Sequence, residues 1–268
     1  MFELIAMAAA LILGFAAGLW DLKTSDIPDE APALMAVLGL FIWYVSGLTT
    51  GNWVPFIISA ALGTAVFAIG WGLYKAGQWG GGDAALLAGI FYLIPNIAFL
   101  TDYIFNFFIV ALVYSVVYSI CIGFTHPKIF GHMVDEIKRK KIWIGLLVWL
   151  VFGIGAIGLL AQAEADVTLT ACLWAAVFGI TLFYVYARAI EKNVFRRGIP
   201  ISKLKVGDVL ASSKQWTGIS QEQIDGLRRK HVRVVEIKEG VRFGLVFPLA
   251  LVVTLLLGNL IFWLVGLV

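Results

Sequence analysis

Charge is scarce in this chain: Asp, Glu, Lys and Arg make up 14% of the 268 residues, whereas 61% are hydrophobic and mean hydropathy is +0.93. A water-soluble globule has no place for that much apolar surface, so the class is an integral membrane protein. Cysteine is nearly missing. Cys121 and Cys172 both lie inside apolar runs, which excludes a thiolate metal site, gives no ground for a disulfide, and leaves them as packing residues. His126, His132 and His231 fall in polar segments at irregular spacing, so neither a metal nor a cofactor is expected. No Gly-Lys-Ser/Thr follows the glycine run at Gly80, which excludes a nucleotide phosphate loop. There is no platform of interleaved aromatic and basic residues, so nucleic acid is not expected as a partner. Ionisable residues are almost absent from the apolar runs, where Asn96 and Asn106 are the main polar intrusions. A proton-coupled transporter places carboxylates or histidines near the midplane, and no internal repeat supports an inverted-repeat carrier.

What is present is a series of apolar runs long enough to cross a bilayer core of ~30 Å as helices. They cover approximately Phe2 to Trp20, Ala31 to Leu48, Trp53 to Tyr74, Ala84 to Leu100, Tyr103 to Phe124, Ile142 to Ala161, Val167 to Ala187 and Phe243 to Leu267. The expected fold is an all-α polytopic membrane protein with about eight transmembrane helices, or six if one hairpin lies flat. The fourth run is short and carries Pro95-Asn96, so a kink or turn is expected there. Met1-Phe2-Glu3 leads straight into the first run without a basic segment or a small-residue cleavage site, so the first helix is expected to be retained.

Basic residues set the orientation. With the N-terminus outside, all twenty Lys and Arg fall in inner segments: Lys23, Lys75, Lys128, Lys138 to Lys141, and thirteen from Arg188 to Arg242. The outer segments hold only Glu3, Asp102, Glu164 and Asp166. Such a partition follows the positive-inside rule. The domain reading is a transmembrane core of seven helices at 1–187, a small basic α+β cytoplasmic module at 188–241, and a final transmembrane helix at 242–268. In the module, Val206-Gly207-Asp208-Val209 is read as a turn between short strands. Ser220 with Gln223 forms a capping box opening a helix, and Val232 to Lys238 alternates as a strand. The module's basic excess suits anionic lipid headgroups.

The carboxylates that stand out are Asp21, which closes the first run, and Asp83, which ends Trp79-Gly80-Gly81-Gly82-Asp83. Both fall at the inner rim, where a carboxylate is partly desolvated yet reaches water. Glycines at 80 to 82 allow close helix approach and φ > 0, and they place Asp83 in the first turn of a helix, where the dipole favours its charged form. Asp26, Asp29 and Glu30 read as solvated loop or cap residues.

Asp21-Leu22-Lys23-Thr24-Ser25-Asp26-Ile27-Pro28-Asp29, followed two runs later by Gly80-Gly81-Gly82-Asp83-Ala84-Ala85-Leu86-Leu87-Ala88-Gly89-Ile90, resembles the type IV prepilin peptidase family. These are GxGD-type membrane aspartyl proteases, and the archaeal preflagellin peptidases are among them. The resemblance covers about residues 1 to 125 and implies that Asp21 and Asp83 are catalytic, with Gly80, Gly81 and Gly82 supporting them. It implies substrates as well: pilin-like or archaellin precursors whose short basic leader is cut from an apolar helix at the cytoplasmic membrane face. Asp26, Asp29 and Glu30 are then candidate contacts for the leader, and Lys23 a candidate cation beside Asp21. No Cys-x-x-Cys domain of the bifunctional bacterial members is present, so N-methyltransferase activity is not expected. Two carboxylates held together share a proton near working pH, and which one acts as base belongs to the pair and stays open. Three other readings keep the same residues: a presenilin-like protease, whose aspartates lie deeper in the bilayer, a transporter or channel with cation-binding rim carboxylates, and a non-enzymatic structural subunit.

Overall fold

A computed structural model describes residues 1–139, 141–162, 167–213, 218–230 and 232–264. Lys140, Glu164, Asp166 and His231, named above, lie outside the described residues. The chain is a polytopic α-helical membrane protein, with one two-stranded sheet among the described residues. Its elements are α1 (Phe2–Thr24), α2 (Glu30–Thr50), α3 (Val54–Lys75), α4 (Gly81–Leu93), α5 (Ile97–Thr125), α6 (Lys128–Arg139), α7 (Ile142–Gln162), α8 (Val167–Ile190), β1 (Arg196–Pro200), α9 (Gln221–Arg229), β2 (Val234–Lys238), α10 (Val246–Leu257) and α11 (Leu260–Leu264).

Fewer of these helices can span than the apolar runs suggest. Five described segments are long and apolar enough: α1, α2, α3, α5 and the Thr170–Phe195 stretch that contains most of α8. The pair α6 and α7, bent by 81°, makes a sixth if taken as one. The fourth and eighth runs form α4, of 13 residues, and α10, of 12. At ~1.5 Å per residue each reaches only about 20 Å, short of the ~30 Å core. Among the described residues the count is therefore five or six, nearer the alternative of six than eight. For the fourth run the cause is Pro95, which disfavours helix at Ile94. Helix α4 stops at Leu93, and the remainder of the run joins α5.

The chain divides into two compact units. The first comprises Met1–Val116, Pro200–Val235 and Glu239–Val268, and α4 lies at its heart, packed on α1, α2 and α3. Apolar on all sides, α4 buries Ala84, Leu86, Leu87, Ala88, Gly89, Ile90, Phe91 and Leu93, as expected of a helix with no polar face. Close entry depends on missing side chains in its neighbours. A Cβ at Gly39 of α2 would sit 2.4 Å from the Tyr92 carbonyl oxygen, and one at Gly63 of α3 would meet the Tyr92 ring, the small-residue packing common in membranes. The carbonyls left over at the end of α4 are met by side chains. Ser59 Oγ donates to Tyr92 O at 2.6 Å and Trp43 Nε1 donates to Leu93 O at 3.0 Å, which satisfies groups that are costly to leave bare.

In the same unit the capping box opens α9: Gln223 N donates to Ser220 Oγ and Ser220 N to Gln223 Oε1. Val206 to Val209 does turn, with Gly207 at φ +97°, but its flanks lie in neither strand of the sheet. The second unit comprises Val117–Ile199 and Glu236–Lys238. It packs Ile129 of α6 against Tyr186, Ala189 and Ile190 of α8. Buried Glu136 is paired there with Arg139 at 2.6 Å and Lys192 at 2.7 Å. Strand β2 pairs with β1. Both cysteines are free and exposed on helix surfaces rather than packed in a core.

Candidate active site

Helix α1 turns one narrow stripe inward: Ala6, Ala10, Gly14, Ala17, Gly18 and Asp21 are its buried residues. They recur at three- and four-residue steps, so Asp21 continues a small-residue face rather than joining the loop beyond. The helix ends at Ser25, in left-handed conformation at φ 61°, whose N–H bonds to the Asp21 carbonyl at 2.8 Å. Asp21 is 6% exposed.

A segment more than two hundred residues away covers it. Gly244 N–H donates to Asp21 Oδ2 at 2.8 Å. Arg242 is fixed beside it, with Nε donating to Ser25 Oγ at 2.9 Å and Nη1 donating to Leu22 O, while its own carbonyl accepts from Tyr114 Oη at 2.6 Å. The cation whose charge acts on Asp21 is Arg242. Lys23, the candidate from sequence, is exposed. Arg242 and Gly244 were missed in the sequence because nothing local ties them to Asp21. Their only local signal is the last basic residue before the final apolar run, followed by a glycine.

Asp83 is the third residue of α4, with Gly80 at the N-cap. The Gly80 N–H bonds back to its carboxylate, as an acidic residue at this position commonly does. The half-buried carboxyl lies outside the candidate spans, and burial pushes it up to about 7, with the Asp21 charge adding and the Gly80 hydrogen bond opposing. Burial thus outweighs the helix dipole expected to keep it charged. The two aspartates are near enough for their charges to interact.

Left-handed conformation is not what the glycines provide. Gly80 has φ −74°, and the positive-φ glycine of this loop is Gly77. Space is what counts, since a Cβ on Gly82 would lie 2.8 Å from Ile27 Cβ. Aromatic contacts anchor both halves: Trp79, just ahead of Gly80, stands edge-on to Phe107 and Phe247 at 6.1 and 6.4 Å, and Phe243 packs on Phe107 and Tyr114.

Asp26, Asp29 and Glu30 are exposed. Asp26 is raised by partial burial and by the Asp29 charge, against a hydrogen bond from the Ile27 N–H. No cluster of three or more His, Cys, Asp or Glu able to hold a metal occurs among the described residues. A recess of about 510 Å³ lined by Pro200, Ile201, Ser202, Arg228, Val232 and Arg233 shares no residue with Asp21 or Asp83.

Residues 7–124 match the type IV leader peptidase family. The match takes in Asp21, the three glycines and Asp83, and it bears out the resemblance carried by those motifs. Among curated relatives, the Preflagellin peptidase of Methanococcus voltae is 35% identical over 96 residues, which is 36% of this chain and 41% of that protein. Prepilin peptidase EppA of Methanothermobacter thermautotrophicus is 30% identical over 103 residues, 38% of this chain and 27% of that protein. The chain thus matches less than half the length of each of these relatives. No solved structure matches it. Arg242 and Gly244 lie outside the stretch matched to the type IV leader peptidase family.

Proposed function

We propose that this protein is a membrane-embedded aspartyl endopeptidase that removes the short basic leader from prepilin-like or preflagellin precursors at the cytoplasmic face, with its N-terminus outside. One observation carries the reading: within the family-matched stretch, two carboxylates some sixty residues apart are held within electrostatic reach, one buried and one raised to about 7. Such a pair can be half-protonated at neutral pH, as general acid-base hydrolysis of a peptide requires. The ionised partner takes a proton from water as its oxygen attacks the scissile carbonyl. The protonated partner polarises the carbonyl oxygen, and no covalent intermediate is needed.

The rim position suits the substrate. A basic leader stays inside by its charge while the apolar segment enters the bilayer, and the bond to be cut then lies at the inner surface. Exposed Asp26, on the loop after α1, and Asp29 and Glu30, at the start of α2, can attract that leader. The product is expected to carry an unmethylated N-terminus, which mass spectrometry reads directly.

The test is cleavage of synthetic preflagellin and prepilin precursors by the detergent-purified protein. Wild type is expected to cut, and Asp21→Asn and Asp83→Asn to be inactive while folded. Full activity in either variant removes that aspartate from the chemistry, and an inactive wild type on both precursors sinks the reading.

A further inference from the structure

We infer that Arg242 and Gly244 are positioning residues that hold Asp21 as the ionised, water-activating member of the pair, leaving Asp83 as the proton-donating member. The inference rests on the aspartyl peptidase reading and supplies an assignment that the motifs leave open.

The surroundings of the two carboxyls differ. Each carboxyl accepts a backbone hydrogen bond, Asp21 Oδ2 from Gly244 at 2.8 Å and Asp83 from Gly80, and such a bond strengthens when the acceptor carries charge, so the difference lies in the charges beside them. The cation acting on Asp21 is Arg242, and the nearby charge acting on Asp83 is the negative one of Asp21 itself. An opposite charge favours ionisation and a like charge opposes it. Arg242 is not a loosely placed surface group, because its side chain donates to both Ser25 Oγ and Leu22 O at the end of α1 and its carbonyl is held by Tyr114. Burial opposes charge on both carboxyls, and what sets them apart is the fixed cation at Asp21. Asp83 comes from α4, Asp26 follows α1 and repels, and Asp29 and Glu30 at the start of α2 are exposed. Gly244 also has to lack a side chain, since a Cβ there would stand 2.9 Å from Asp21 Cβ and 3.2 Å from Gly18 Cα.

The step then runs in one direction. Water oxygen bonds to the scissile carbonyl carbon as a water proton passes to Asp21, and the Asp83 proton passes to the carbonyl oxygen. On collapse the C–N bond breaks, Asp21 returns its proton to the leaving nitrogen, and Asp83 recovers a proton from the hydroxyl. Both carboxyls end as they began.

Two measurements on the full-length purified protein test this. Infrared carboxyl-stretch spectra at mildly acidic pH read protonation without turnover. The band of a buried protonated carboxyl is expected to disappear in Asp83→Asn and persist in Asp21→Asn, and the reverse pattern overturns the assignment. The pH profile of precursor cleavage reads the positioning role. Arg242→Gln is expected to move the acidic limb of kcat/KM up by about one pH unit, with Arg242→Lys restoring part of the shift. Gly244→Ala is expected to lower kcat at least ~10-fold with little change in KM. An unmoved acidic limb in Arg242→Gln, at any level of activity, makes Arg242 a structural strut and refutes the inference. Should wild type cut neither precursor, the peptidase reading fails at that point, while the infrared bands still decide which carboxyl is ionised.

Discussion

Alanine substitution across Gly80, Gly81 and Gly82 separates a packing requirement from a backbone one. A Cβ on Gly82 would stand 2.8 Å from Ile27 Cβ, and ordinary contact begins at 3.4 Å. Ile27 is 6% exposed and the clashing atom is its Cβ, which cannot swing aside, so the first turn of α4 has to retreat by at least about 0.6 Å. That movement is passed to Asp83, the next residue. Displacement of a reacting group by ~1 Å costs on the order of 100-fold in rate, so Gly82→Ala is expected to lose roughly 10- to 100-fold in kcat. The net change in stability is expected to be about 0–2 kcal/mol. Overpacking costs about 1–3 kcal/mol, and replacing glycine by alanine inside a helix returns up to ~1 kcal/mol. Gly81→Ala is the internal comparison. Its Cβ would meet Tyr74 at 3.6 Å, an ordinary contact, so it should stay within a few-fold of wild type and melt slightly higher. Gly80→Ala should fall between, because its Cβ would approach Asp83 Oδ2 to 2.7 Å and only the carboxylate has to turn. The assay is initial-rate cleavage of a preflagellin precursor, with thermal unfolding measured on the same preparations. Equal activity in Gly81→Ala and Gly82→Ala, or a Gly82→Ala loss matched by its unfolded fraction, refutes the reasoning.

Three further outcomes are expected. Because Asp83 keeps its proton to about pH 7 when folded but only to ~3.9 when unfolded, the folded state binds more protons between those values. Stability should therefore fall as pH rises through that window, by at most ~4 kcal/mol, and level off above it. Thermal scans of Asp83→Asn should lose that slope. Replacing Asn106 by Leu should destabilise the protein by ~2–4 kcal/mol, because fully buried Asn106 donates to Thr254 Oγ1 and Gly258 O and accepts from Leu260 N where the chain breaks between α10 and α11. An unchanged midpoint in denaturant would count against that role. Neutralising Asp26, Asp29 and Glu30 together should raise KM for a basic-leader precursor at low salt and leave kcat alone, with the difference fading at high salt. An unchanged KM at low salt removes these residues from leader binding.

Membrane class and the existence of the helices followed from composition and run length alone, since burying an apolar stretch in lipid needs no partner from elsewhere in the chain. Asp83 at a helix start was equally local, set by glycines at a helix boundary, and so was the Ser220–Gln223 capping box. The number of spans was not. Helices α4 and α10 are as apolar as true spans yet stop short, α4 at Pro95 and α10 at Gly258 with φ +63°. Where a run breaks depends on which neighbours satisfy the freed backbone groups, such as Trp43, Ser59 and Asn106, all distant in sequence. The site divides in the same way. Residue type and the end of the first apolar run marked Asp21 in the sequence, whereas its place on the inward small-residue face of α1 came from the structure. Only the tertiary structure brings Gly244 and Arg242 onto it, because electrostatics and hydrogen bonding act through space, and no periodicity in the chain records a contact made across two hundred residues.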